Sequence, residues 1–154
     1  MAAYTIEPIG TVHNNRPAIS DDFWGDIISE IKLHDRFTAD ALEGIDTFSH
    51  VEIIYLFDKA IGSPVVTGSE HPRENPAWPK VGIFAQRKKN RPNWLGATIC
   101  PVLKTEGRSL FVQALDAIDG TPVIDIKPVM KEFLPIGPVE QPQWSVELMK
   151  DYWG

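Results

Sequence analysis

Thirteen prolines and 11 glycines are scattered along these 154 residues, and between them the chain runs in short β-branched and aromatic stretches. Proline fixes φ and removes a backbone N–H, so punctuation this dense excludes long helices and favours short strands joined by turns. Seven stretches stand out: Tyr4 to Val12, Ile27 to Leu33, His50 to Phe57, Val81 to Ala85, Ala97 to Lys104, Ser109 to Ala117 and Val123 to Ile126. Their length and spacing predict a mainly β fold, a single β-barrel of about six or seven strands with short peripheral helices. The first stretch opens with the alternation Tyr4, Ile6, Pro8. In the sixth, Leu110, Val112 and Ala114 lie opposite Phe111, Gln113 and Leu115, so at least one sheet is apolar on both faces, as expected of a closed core. Helices are minor: Thr38 is placed to cap a turn through Ala39 to Leu42 that ends at Gly44, and Ser145 to cap Val146 to Tyr152. Gly62 to Pro79 has the composition of a long irregular loop. No linker or repeat divides the chain, so residues 1–154 are expected to form one domain.

Composition narrows the function. The apolar run Ile53-Ile54-Tyr55-Leu56-Phe57 is bracketed by Glu52 and Asp58, and no window approaches the roughly 18 uncharged residues of a membrane span. The start of the chain lacks the basic residues and apolar stretch of a secretory signal, and the single Cys100 allows no internal disulfide, so a cytoplasmic location is expected. A net charge of −6 argues against a protein that coats nucleic acid non-specifically. The charge is unevenly spread, however. Residues 71–91 carry six basic residues against Glu74 alone, +5, while residues 1–70 carry −8 and residues 92–154 carry −3. Trp78, Phe84 and Trp94 are interleaved with these cations, a combination that suits anions and nucleobases.

Two segments are unusual. In Val81 to Gly96 an apolar stretch runs into Arg87-Lys88-Lys89-Asn90-Arg91-Pro92-Asn93, where Pro92 forces Arg91 to be extended. Guanidiniums at such a turn either bind a carboxylate or phosphate bidentately or are simply solvated. In Leu115 to Pro128, Asp116, Asp119 and Asp125 stand among strongly apolar neighbours, where a carboxylate must be paired or must bind something. An Asx-type turn at Asp119-Gly120 and an ion pair of Asp125 with Lys127 or an arginine would satisfy two of them without a ligand. His and Cys are absent at metal-ligand spacing, so no metal site is expected. His50, at a strand start, is a weak catalytic candidate, and Cys100, inside an apolar strand, reads as a buried thiol. Glycine-rich phosphate loops and nucleophile elbows are missing.

Taken together, Ile9-Gly10-Thr11-Val12, Leu42-Glu43-Gly44-Ile45, Phe48-Ser49-His50, Gly82-Ile83-Phe84-Ala85 with Arg87 and Arg91-Pro92-Asn93, and the block Leu115 to Pro128 resemble the TsaA-like family (YaeB, TrmO). The resemblance spans nearly the whole chain. It implies a barrel that binds S-adenosylmethionine, a homodimer, and methylation of N6-threonylcarbamoyladenosine in the tRNA anticodon loop. Carried over, it makes Arg87 and the turn Asp119-Gly120-Thr121 contacts of the methyl donor, with Asp116, Ile118, Leu95, Gly96 and Ala97 beside them. Trp24 and Gly25 stand where the family has a Pro-Arg-Gln loop, and Asp58 and Lys59 where it has His-Gln. Lys88, Lys89, Arg91 and Asn93 are then the residues that draw in an anionic substrate, and His50 and Asp125 are the candidates for a proton acceptor. A small-molecule methyltransferase and a non-catalytic sensor of the donor are the alternative functions. The acidic pI of about 5.1 supports the former.

Overall fold

The computed structural model describes all residues, 1–154. Eight strands form: β1 (Gly10–His13), β2 (Ile28–Leu33), β3 (His50–Leu56), β4 (Ser69–Glu70), β5 (Val81–Gly82), β6 (Leu95–Glu106), β7 (Ser109–Gln113) and β8 (Pro122–Pro128). Six of them close into an antiparallel barrel in the order β1-β2-β7-β6-β3-β8, with β8 returning to β1. Closure leaves no unpaired sheet edge, which is how a chain of short strands avoids edge-to-edge association. Alternation decides what fills the interior: Val51, Ile53 and Tyr55 of β3, Leu110 and Val112 of β7 and Ile31 of β2 point inward and are buried. Each such side chain contributes about 1.5–3 kcal/mol by leaving water.

Several elements depart from the sequence expectation. The first strand begins at Gly10, not Tyr4, and Tyr4 and Ile6 are exposed. Only Val81–Gly82 of the fourth stretch is strand; it pairs with β4 in a two-stranded ribbon, and Ile83–Ala85 turns as a 3-10 helix. The loop over Gly62 to Pro79 is therefore interrupted by β4. β7 stops at Gln113 because Ala114 takes φ 60° and turns the chain out of the sheet. Thr38 spends its hydroxyl on the Asp40 carboxylate and makes no side-chain cap for Ala39–Leu42. Helix α1 spans Gln143–Leu148, starting after Pro142 and not after Ser145, whose hydroxyl donates back to Pro142 O at 2.7 Å. Pro142 is the N-cap, extended at ψ 155°, and its carbonyl also accepts the Ser145 N–H at 3.0 Å, which closes the first turn there.

Strand direction sets where a site can form. β1, β3 and β7 finish at the same end of the barrel at which β2, β6 and β8 begin, so the segments around residues 14–25, 57–60, 87–95 and 114–121 gather there.

Candidate functional site

That end of the barrel carries a cleft of about 1300 Å³. Its geometry starts from Gly96, which pairs in register with Tyr55 across β3 and β6. A Cβ on Gly96 would lie 2.5 Å from the Tyr55 ring, so the missing side chain lets the ring lie flat across the sheet. Tyr55 thereby reaches Asp116, and its hydroxyl donates to Asp116 Oδ1 at 3.1 Å. Thr98 Oγ1 donates to the same oxygen, and the hydroxyl of Tyr152 donates to Oδ2. Asp116 thus sits in the cleft with a hydroxyl shell and no cation paired to it. Burial, and then the Asp116 charge, push Tyr55 and Tyr152 well above the usual phenol range, so both stay protonated as donors.

Arg87 enters the cleft from the loop after the ribbon, with Nη2 donating to Ala97 O. Trp24 forms another wall. It is buried, and Arg16 holds it from behind, stacking its guanidinium 4.1 Å from the ring centroid and donating to Phe23 O and Asp22 O. Asn14 fixes the start of the same loop by donating to Ser29 Oγ and Ala117 O. The remaining wall is the C-terminal segment, with Trp144, Tyr152 and Trp153. It is tied to residues 23–25 by backbone bonds from Phe23, Trp24 and Gly25 N–H to the carbonyls of Asp151, Tyr152 and Trp153 at 3.0, 2.8 and 2.8 Å. Trp78 Nε1 adds a bond to Glu147 Oε2 at 2.8 Å.

Of the positions singled out in sequence, the cleft gathers Trp24, Asp58, Lys59, Arg87, Gly96, Ala97, Asp116, Ile118 and Thr121, with Lys88 and Lys89 at the cationic side. Others lie outside it. Asp119 Oδ1 accepts the Asn14 N–H at 3.0 Å, and Gly120 N–H donates to Val12 O, so this turn splints two loops behind the wall. Gly25 lies under the Trp153 carbonyl, and Leu95 pairs with Leu56 at the start of β6. Arg91 is turned inward, donating to Gln86 O at 2.6 Å, and Asn93 forms the φ-positive corner of the Pro92–Trp94 turn. His50 is at the opposite end of β3, about 20 Å from Leu56 at the usual strand rise, hydrogen-bonded to Ser49 Oγ at 2.7 Å. Asp125 pairs with Lys127 at 2.9 Å beside a separate apolar depression. Neither proton-acceptor candidate therefore reaches the cleft. Cys100 is buried, its thiol pushed upward by burial and Asp116. No three His, Cys, Asp or Glu side chains gather as a metal site, and no helix is long and apolar enough to cross a membrane.

The basic stripe is partly consumed by the fold: Lys88 pairs with Glu70, and Arg73 with Asp22 at 3.0 Å. Trp78, Phe84 and Trp94 do not line the cleft, and Phe84 is 78% exposed. Sequence reasoning missed the aromatic residues that do line it, Tyr55, Phe57, Trp144, Tyr152 and Trp153, and the hydroxyl of Thr98. The Gly96–Tyr55 pairing carries no local signal. The Trp and Tyr density of residues 144–153 is plain in the sequence, but apolar residues at that spacing usually cover a core or a dimer contact and only occasionally wall a ligand site.

A closed antiparallel barrel with an aromatic, mixed-charge cleft at one end defines a small-ligand-binding barrel whose site is built from loops. The chain belongs to the family described as tRNA-methyltransferase O N-terminal domain, which matches residues 14–133. It is 36% identical over 112 residues to the tRNA (adenine(37)-N6)-methyltransferase of Homo sapiens, covering 73% of this chain and 24% of that protein. It is 34% identical over 129 residues to an S-adenosyl-L-methionine-binding protein of Archaeoglobus fulgidus, covering 79% of this chain and 86% of that one. The crystal structure of TrmO from Pseudomonas aeruginosa matches with a TM-score of 0.73 at 24% identity, over 90% of this chain and 61% of that one, a likeness of fold. This chain thus spans about a quarter of the human relative.

Proposed function

We propose that the cleft binds S-adenosylmethionine and that the protein uses it to methylate N6 of a modified adenosine, threonylcarbamoyladenosine, in tRNA. The observation that carries this reading is the Asp116 carboxylate, set among hydroxyls and left without a cation, in one aromatic-walled cleft with Arg87. Opposite charges on a shared cleft suit the ammonium and carboxylate of an amino acid, and aromatic faces suit a sulfonium and an adenine ring. The names of the human and Archaeoglobus fulgidus relatives point to the same ligand and reaction.

The bound donor supplies a methyl group on a sulfonium sulfur, open to in-line displacement. The work left to the chain is positioning and exclusion of water. Arg87 pairs with the donor's carboxylate, Asp116 accepts from its ammonium, and the walls of Trp24, Trp144 and Trp153 enclose the ring system. Lys89 and Lys80, which have no ion-pair partner, and Lys59 at the cleft supply the positive potential for phosphates. The protein acts in the cytoplasm as a homodimer, which sedimentation tests. The internal pairing of Lys88 and Arg73 favours a second reading, a smaller acceptor that needs fewer phosphate contacts.

Calorimetric titration with the donor, followed by incubation with labelled donor and bulk tRNA, tests the proposal. Arg87→Ala is expected to bind the donor at least about tenfold more weakly, about 1.4 kcal/mol. Label is expected in tRNA, with binding that falls as salt rises. Equal affinity of the variant would overturn the role of Arg87, label in a metabolite extract alone would favour the smaller acceptor, and label in neither would leave a sensor.

A further inference from the structure

The C-terminal segment lies beyond residue 133, where the family match ends, yet it supplies a wall of the cleft and one of the three hydroxyls on Asp116. A carboxylate oxygen accepts about two hydrogen bonds. Oδ1 of Asp116 takes those of Tyr55 and Thr98, whereas Oδ2 takes that of Tyr152 and has one acceptor site left. The terminal torsion of an aspartate is soft, so two donors on one oxygen leave the plane of the carboxylate loosely set. A third donor on the other oxygen fixes it. Tyr152 is itself held from two sides: its ring meets Trp153 edge-on with centroids 4.9 Å apart, and its carbonyl accepts the Trp24 N–H at 2.8 Å.

We propose that Tyr152 is a positioning residue of the donor site, which acts through Asp116 by fixing the carboxylate plane and leaving a single acceptor site for one N–H of the donor's ammonium group. This rests on the reading that the cleft binds S-adenosylmethionine. It assigns a ligand-orienting task to a segment outside the family match, and it makes the donor site a joint product of the barrel and its own C-terminal strap. A hydrogen bond to a charged group is worth more than a neutral one, so loss of this hydroxyl is felt where the ammonium binds.

Tyr152→Phe removes the hydroxyl and keeps the ring. Titration of wild type and variant with S-adenosylmethionine and with 5′-methylthioadenosine, which lacks the amino-acid group, separates positioning from packing. The expected result is about tenfold weaker donor binding and methylthioadenosine binding unchanged within about twofold. Equal loss for both ligands, or no loss for the donor, overturns the proposal. A second readout is the cycle with Asp116→Asn: Tyr152→Phe should add less than about twofold in that background, and additive losses would contradict action through Asp116. If wild type fails to bind S-adenosylmethionine at all, the functional reading fails and this inference with it; if wild type binds and the variant matches it, only the inference fails.

Discussion

At the scale of the residue, two glycines decide how the cleft closes. Gly96 admits the Tyr55 ring, and Gly25 admits the backbone of the C-terminal segment, where a Cβ would lie 2.0 Å from Trp153 O. The obstacle at Gly25 is main chain held by its own hydrogen bonds, so it cannot swing aside as a flexible side chain would. Gly25→Ala is therefore expected to release the segment and to speed tryptic cleavage after Lys150 several-fold, while the barrel core is unaffected. Cleavage at the wild-type rate would contradict the packing described for residues 23–25. Gly25 was singled out in sequence because it stands where the family has its Pro-Arg-Gln loop, and the structure gives it a different task, close approach to the Trp153 carbonyl. Asp116 is the reverse case: a carboxylate among apolar neighbours had to be satisfied, but its three hydroxyl partners come from positions 55, 98 and 152, far apart in the chain.

At the scale of the element, a strand persists only where a neighbour takes its hydrogen bonds. The alternation Tyr4, Ile6, Pro8 has the right period for a strand but no partner, since β1 pairs with β2 and β8 only from Gly10 onward. Deletion of residues 1–6 is thus expected to change the unfolding free energy by less than about 0.5 kcal/mol, because exposed residues away from packed features contribute little. A loss of 2 kcal/mol or more in urea denaturation, on the order of a core truncation, would show that these residues pack. Local rules succeeded for β2, β3 and β8, whose bounds fall within about two residues of the apolar runs. They failed at Val81 to Ala85, where only two residues find a partner, and at Ser145, where Pro142 starts the helix first.

At the scale of the whole molecule, alkaline pH tests the buried shell around Asp116. Burial first, and then the Asp116 charge, raise Cys100 above its ordinary 9.0 and Tyr55 and Tyr152 above their ordinary 10.0. The folded protein keeps these protons where the unfolded chain gives them up, so the stability they contribute is complete at neutral pH and is lost as pH rises. The loss is expected to begin near pH 9 with Cys100 and to steepen above 10 with the tyrosines. Urea midpoints at about pH 8 and about pH 10.5 check this, and an unchanged midpoint would contradict the buried placement of all three. Net charge teaches a related lesson. The +5 of residues 71–91 was legible, but Asp22 and Glu70 neutralise part of it from outside that window. The sequence by itself determined the mainly β class, the punctuation of strands and the acidic and basic segments, because turn chemistry, side-chain period and charge are properties of neighbours along the chain. Barrel closure, the choice of Tyr55, Thr98 and Tyr152 as partners of Asp116, and the exclusion of His50 and Asp125 from the cleft were decided by the tertiary structure alone. Those depend on which strand ends meet in space, and the pairing that brings them together joins residues more than a hundred positions apart.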